Sequence, residues 1–161
     1  MFSRLRSSIA YRAKWEIKKP VHSVLDIGAN IGLFAMAARH HFPAATIHCY
    51  EPNLALERHL AEHCSAIGAR YHMEAVGSKT AMVSLRIGNG SLHSVTKKQA
   101  HGRTPQIAFA DAVTKLGVVD VLKLDCEGAE WDIFSDPVPW AKVRSLCMEY
   151  HLWAKPTSTI Q

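Results

Sequence analysis

Asp26-Ile27-Gly28-Ala29-Asn30-Ile31-Gly32 sets an acid two residues ahead of a glycine turn. Glycine lets a backbone turn sharply and come close to a ligand, because no Cβ stands in the way. A second acid, Glu51, ends another apolar run, Thr46-Ile47-His48-Cys49-Tyr50, twenty-five residues after Asp26. An ionised carboxylate offers two acceptor oxygens, which match the paired hydroxyls of a ribose. The turn and the later acid together point to a cofactor that contains a nucleoside.

The glycine spacing narrows the choice. Three residues separate Gly28 from Gly32, with Asn30 among them, which departs from the G-x-G-x-x-G fingerprint of dinucleotide binding. It fits better the D/E-x-G-x-G-x-G loop of S-adenosylmethionine enzymes, with Asn30 in the middle glycine's place. On that reading Gly28, Asn30 and Gly32 form the loop, and Asp26 orients the cofactor's amino group, directly or through water. Glu51 holds the ribose hydroxyls, and Met73 and Glu74, ending a third strand, meet the adenine ring. Plainer alternatives stand beside these roles: strand-end carboxylates facing solvent for Asp26 and Glu51, ordinary surface for Met73 and Glu74.

Such residues need a scaffold, and the order of elements alternates. Val21 to Asp26 reads as a strand, Ile31 to His41 as a helix, and Thr46 to Tyr50 as a strand. Asn53 caps a helix that ends before Gly68, and Arg70 to Val76 is a third strand. Ala81 to Ile87 alternates in the strand manner, Ser91 to Pro105 reads as a polar loop, and Gln106 to Ala110 is extended. Asp111 caps a short helix, Val118 to Asp125 is a strand, Glu127 to Phe134 a helix, and Val143 to His151 the last strand. Strands alternating with helices imply an α/β protein with a doubly wound, mostly parallel sheet. In such sheets ligands bind at the carboxyl ends of the strands, where strand order reverses.

Composition is consistent with this. A chain of 161 residues has the size of one domain and buries roughly two thirds of its unfolded surface. Hydrophobic content of 48% and charged content of 20% fit a soluble globular protein. No apolar stretch approaches the ~20 residues that span a bilayer. The net charge of +5 owes much to Arg4, Arg6, Arg12, Lys14, Lys18 and Lys19. With Phe2, Leu5, Ile9, Ala13 and Ile17 at helical spacing, residues 1–20 read as a basic amphipathic helix ahead of a single domain over 21–161. A helix packed over the sheet, a transit peptide, and a membrane-surface or nucleic-acid contact are the alternatives for it. Cys49, Cys64, Cys126 and Cys147 show no C-x-x-C spacing, which reads as a reducing cytoplasm without disulfides or a cysteine zinc site.

A second dense segment is Leu122-Lys123-Leu124-Asp125-Cys126-Glu127-Gly128-Ala129-Glu130. Here the chain resembles the FkbM-type methyltransferase family, whose members carry a K-[IL]-D-x-E-G-A-E block. That block, the Asp26–Gly32 turn, Tyr50-Glu51-Pro52-Asn53, Ala75-Val76-Gly77 and Met148-Glu149-Tyr150-His151 occur in the family's order, from about Val21 to His151. The resemblance implies a Rossmann-like methyltransferase sheet and S-adenosylmethionine-dependent O-methylation of a sugar, glycan or natural-product hydroxyl. It places Asp125 beside the reacting methyl as a cofactor contact and as the first candidate for orienting or deprotonating the acceptor, with Glu127 and His151 completing the catalytic set. Lys123 pairs with an acid of the site. Glu127 and Glu130 have the alternative of stabilising a helix N-terminus.

Other signals are weaker. His59 and His63 stand at i, i+4, a metal-binding spacing, but without a third ligand no metal is expected. Past the fifth strand only Leu152 to Gln161 remain, too few for the antiparallel pair that usually completes this sheet. The expectation is an open edge at Val143 to Tyr150 and a homodimer formed along it, a truncated product, or reduced stability. A module that binds cofactor or partner without catalysis is therefore the alternative function. A nucleic-acid methyltransferase is disfavoured, since no N/D-P-P-Y/F motif or aromatic-interleaved basic stripe is present.

Overall fold

The computed structural model describes residues 17, 20–87, 94–97, 102–149 and 151. The basic segment expected over residues 1–20 lies almost wholly outside them, as do Ser91, Leu92 and His93 and the tail after His151.

Five strands form the central sheet: β1 (Ser23–Ile27), β2 (Thr46–Tyr50), β3 (Arg70–His72), β8 (Val121–Leu124) and β9 (Leu146–Met148). Their order is β3-β2-β1-β8-β9, and every pairing is parallel. The chain walks outward from β1 to β3, then returns to lay β8 against the other side of β1. The reversal puts a crevice at the carboxyl ends of β1 and β8. Both strands are buried along their whole length. Parallel strands covered on two faces normally read as unbroken apolar runs. Asp26 in β1 and Lys123 in β8 break that rule, and they are register partners.

Two apolar layers cover the sheet. On one face α1 (Leu33–His41) and α2 (Glu57–Ile67) pack Phe34, Ala35 and Leu60 against Val24, Ile47 and Cys49. On the other, α3 (Phe109–Thr114) and α4 (Glu130–Ile133) bring Phe109 and Ile133 onto Leu25, Ile27, Leu122 and Leu124. Alanines 35 and 38 have no exposed surface, so α1 lies close on the strands. Arg39 in its last turn donates to the carbonyls of Ile67, Pro43 and Ala45 at 2.7–2.8 Å, tying the ends of α1 and α2 together. Gly68 closes α2 in the left-handed conformation, φ 64°.

A second sheet was not anticipated. β4 (Ala75–Gly77), β5 (Ala81–Ile87), β6 (Ser94–Lys97) and β7 (Thr104–Ala108) run in the order β4-β7-β5-β6. The stretch expected as one strand, Arg70 to Val76, therefore divides: β3 pairs with β2, and β4 leaves to pair with β7. The polar stretch read as a loop contains β6, antiparallel to β5, and the start of β7. Antiparallel pairs keep one face in water, so polarity alone does not exclude a strand. Asp111 sits inside the first turn of α3, whose cap position is Ala108. The last helix is also shorter than expected, because residues 127–129 form a turn before α4.

At the opposite end of the sheet, Asp120 ties the starts of β1 and β8. Its Oδ2 accepts from the backbone N–H of His22 (2.8 Å) and of Ser23 (3.2 Å), and its Oδ1 meets Arg144 at 2.7 Å. Burial pushes this carboxyl up, but the His22 N–H, Arg144 and Ser23 more than offset that, so it lies below the usual carboxylate range. A depressed carboxyl contributes stability above its unfolded pKa of about 3.9 and loses it as pH falls through the folded value. Asp120→Asn should cost about 1–3 kcal/mol in denaturant unfolding at neutral pH. The difference from wild type should shrink in acid, where both carry an uncharged side chain.

Candidate functional site

The glycine turn leaves the carboxyl end of β1 through left-handed backbone. Gly28, Asn30 and Gly32 all have positive φ, at 76°, 52° and 87°. The N–H groups of Gly28 and Ala29 both donate to the Tyr50 carbonyl at 2.9 Å, which seats the turn on the end of β2. Asn30 takes its left-handed conformation with Oδ1 accepting from the Ile31 N–H at 2.8 Å. Glu51 braces the same turn: Oε2 accepts from the Asn30 N–H at 2.8 Å, and Oε1 from the Asn53 N–H at 2.9 Å. His63, on α2, holds the Ile31 carbonyl at 2.6 Å through Nδ1. The histidine read for metal spacing thus supports the turn, a role visible only once α2 is docked.

Neither Asp26 nor Glu51 faces solvent. Asp26 has no exposed surface, and Glu51 is 6% exposed. Burial raises the Glu51 carboxyl, with the N–H groups of Asn53 and Asn30 opposing the shift. Asp26 is raised by burial too, and Lys123 opposes it. Lys123 Nζ donates to the Gly28 carbonyl and lies 3.4 Å from Asp26 Oδ1 and 3.8 Å from Asp125 Oδ2. Burial would lower the Lys123 ammonium, but Asp26 and Asp125 outweigh it and keep the group charged. Asp26 Oδ2 is fully buried without a hydrogen-bond partner.

Beyond β8 the chain turns at once. Glu127 adopts φ 51° and Gly128 φ 102°, so Glu127 lies in a tight turn and not at the head of a helix. Glu130 opens α4 but is wholly buried, and its Oε1 accepts from the Cys126 N–H at 3.0 Å. Glu127 therefore lies outside the helix, whereas Glu130 does stand in its first turn, with its carboxylate turned to the Cys126 N–H and to His151. His151 reaches the same place from the segment after β9. Its Nδ1 is 3.1 Å from Glu130 Oε1, and its Nε2 is 3.3 Å from Glu127 Oε2 and 3.9 Å from Glu149 Oε1. The bond to Glu130 raises the imidazole, against the effect of burial. Trp131 Nε1 donates to the His151 carbonyl at 3.0 Å and anchors the segment. Asp125, raised by burial, keeps 32% of its side chain exposed at the mouth of the cluster.

A cleft opens beside the turn, lined by Gly28, Tyr50, Pro52, Glu74, Val76 and Cys126 among others. Glu74 Oε2 and Tyr50 Oη are buried there without hydrogen-bond partners. Met73 packs against the core under α1 and α2 and is not among the lining residues. The residues fit a nucleoside cofactor with an amino group. Glu74 Oε2 is a buried acceptor without a donor on the cleft's lining and Gly28 brings backbone there, while Asp26, whose Oδ2 also lacks a donor, and Glu51 and Asp125 lie off that lining.

The family described as the methyltransferase FkbM domain matches residues 26–155. "Methyltransferase 1" of Beauveria bassiana is 25% identical over 158 residues, covering 78% of this chain and 63% of that protein. The 31-O-demethyl-FK506 methyltransferase FkbM of Streptomyces tacrolimicus is 22% identical, covering 83% of this chain and 66% of its own length. The chain thus spans slightly less than two thirds of either relative. The crystal structure of methyltransferase FkbM from Methylobacillus flagellatus KT superposes with a TM-score of 0.63 at 13% identity, over 88% of this chain and 36% of that one. That likeness establishes the fold.

The turn itself is open to test through its glycines. A Cβ at Gly28 would lie 1.7 Å from the Asp125 carbonyl oxygen, whereas at Gly117, also left-handed, it would meet nothing within 4 Å. Gly117→Ala should cost about 1 kcal/mol for the backbone alone. Gly28→Ala should cost about 1–3 kcal/mol more, as strand ends are forced apart. Thermal unfolding of the two variants reads the difference, and equal losses would refute the close approach.

Proposed function

Because this chain belongs to the FkbM methyltransferase domain family, we propose that it transfers a methyl group from S-adenosylmethionine to a hydroxyl of a sugar, glycan or natural-product small molecule. The observation that carries the reading is the meeting of a braced glycine turn with two buried acids at the point where strand order reverses. The name of the Streptomyces relative specifies an oxygen of a natural product, which supports the acceptor class. The cofactor would supply a sulfonium-bound methyl group, an electrophile open to attack by an aligned nucleophile.

The chain's own residues have distinct tasks in this reading. Asp26 Oδ2 accepts from the cofactor's amino group, and Glu51, its carboxylate fixed by two backbone N–H groups, uses its remaining lone pairs on the ribose hydroxyls. Glu74 Oε2 accepts from the adenine amino group, with Met73 backing its segment from the core. Gly28, Asn30 and Gly32 give the backbone its close approach. Holding nucleophile and methyl in a near-attack arrangement supplies much of the acceleration for such a displacement. The hydroxyl must also lose its proton. Asp125, partly exposed at the mouth of the cluster, orients the hydroxyl and takes the proton first, with Glu127 and His151 behind it.

We place the protein in a reducing, cytoplasmic setting, a reading supported by its four free cysteines, two of them buried. No helix among the described residues is long and apolar enough to cross a membrane. β9 is one of the two edge strands of the five-stranded sheet, with Leu146 43% exposed, and a homodimer along that edge belongs to the reading. Sedimentation of the full chain should give a dimer mass, and a monomer at all concentrations would remove that part.

Calorimetry with S-adenosylmethionine tests the centre of the proposal. Wild type should bind, and Glu51→Ala should weaken binding about tenfold or more, the loss of roughly 1.5 kcal/mol from hydrogen bonds to a charged group. Asp125→Asn should leave affinity little changed but lower methyl transfer to acceptor pools about a hundredfold, read by mass spectrometry. Absence of binding to wild type, or unchanged binding by Glu51→Ala, would overturn the proposal.

A further inference from the structure

One polar cluster is rich in carboxylates. Among the described residues, Asp26, Asp125, Glu127, Glu130 and Glu149 lie 3.1–3.9 Å from Lys123 or His151. Lys123 is taken up by Asp26, one oxygen of Asp125 and the Gly28 carbonyl, and the cluster continues on the other side of Asp125. There, Asp125, Glu130 and His151 each present a ligand atom, and those atoms lie within 4.8 Å of one another. The residues come from two elements 21–26 positions apart in sequence, which is why their spacing in the chain gave no metal motif.

A second observation concerns Glu130. The residue has no exposed surface, its Oε1 is committed to the Cys126 N–H and to His151, and Oε2 on the same carboxylate is buried with no partner. An orphaned carboxylate oxygen in a protein interior is costly, and a coordinated ion removes that cost.

We propose that Asp125, Glu130 and His151 form a binding site for a divalent cation. Two carboxylates and one imidazole, with an open side, suit a six-coordinate ion such as Mn²⁺ better than a closed structural zinc centre. A ligating histidine usually gives its second ring nitrogen to a carboxylate. His151 has a carboxylate at each ring nitrogen, Glu130 at Nδ1 and Glu127 at Nε2, so whichever nitrogen ligates, the other keeps a partner. Asp125, with 32% of its side chain exposed, faces the side from which further ligands enter. Binding of the ion does not depend on the methyl-transfer reading. Its use does: there, the ion would hold the acceptor hydroxyl beside Asp125, which would bind the ion through one carboxylate oxygen and take the hydroxyl proton on the other.

The experiment is a titration of the full chain with Mn²⁺, without S-adenosylmethionine, following the loss of the free-ion electron paramagnetic resonance signal. One ion per chain should bind with a dissociation constant below about 1 mM. Glu130→Gln and Asp125→Asn should each weaken it at least about tenfold, while His59→Ala on exposed α2 surface should not. Asp125→Asn keeps the test decisive where Glu130→Gln fails to fold, since Asp125 is partly exposed. No loss of free-ion signal with folded wild type, or binding unchanged in Asp125→Asn, would overturn the site. Calorimetric binding of S-adenosylmethionine by a sample that takes no Mn²⁺ overturns the ion alone. Mn²⁺ binding by a sample that takes no S-adenosylmethionine supports the ion and counts against the methyl-transfer reading.

Discussion

Lys123 is a buried cation on which two strands, two acids and the glycine turn all depend. It sits in β8 opposite Asp26 in β1, contacts Asp125 at the end of its own strand, and donates to the Gly28 carbonyl. An ammonium in an apolar interior is expensive unless it is paired and hydrogen-bonded. The converse holds for Asp26, which without Lys123 would be an uncompensated carboxylate with no exposed surface. Each charge is tolerable only because of the other. Their pairing fixes the register in which the ends of β1 and β8 meet, and so fixes where the crevice opens. The site is thus built around an ion pair that the sheet hides, and the residues facing the cleft inherit their positions from it.

The two ends of the sheet are specialised in different ways. At the amino ends, Asp120 has several well-aligned donors and a depressed carboxyl, the mark of a group satisfied within the fold. At the carboxyl ends, Asp26, Glu74 and Glu130 each keep a buried oxygen without a partner, and Asp26, Glu51 and Asp125 are raised by burial. A fold under selection for stability alone would not leave polar atoms in that condition on one edge and satisfy them on the other. Glu130 stands between the two: burial pushes its carboxyl up, but His151 and backbone N–H groups hold it below the usual range even though one oxygen keeps no partner.

Much of this was legible in the sequence because parallel strands and glycine turns leave strong local signals. The glycine turn, Glu51 and the Asp125–Glu130 block were readable, since each is a short run whose residue types have few other uses. Three things were not. The division of Arg70–Val76 between two sheets depends on which neighbour each half pairs with, and pairing is non-local. The hairpin of β5 and β6 was hidden by polar composition, because one side of an antiparallel pair stays wet. Glu130 stands in the first turn of its helix, but its contact with His151 was not readable, since a first-turn glutamate looks the same whether it faces water or a histidine 21 residues away. His63 was similar: its partner is a carbonyl 32 residues earlier, which no spacing rule would select.

The contact between Lys123 and Gly28 spans 95 residues of chain. During synthesis, β1, the glycine turn, β2 and α2 all emerge well before β8 exists. Closing so long a loop carries an entropic penalty that must be met before the contact returns anything, so non-local parallel pairings form slowly. Until then Asp26 has no cation beside it and β1 has one bare edge. The nascent half-sheet therefore passes through a stage in which its glycine turn is already made but not yet locked, and the arrival of β8 is the event that commits the chain to its final shape.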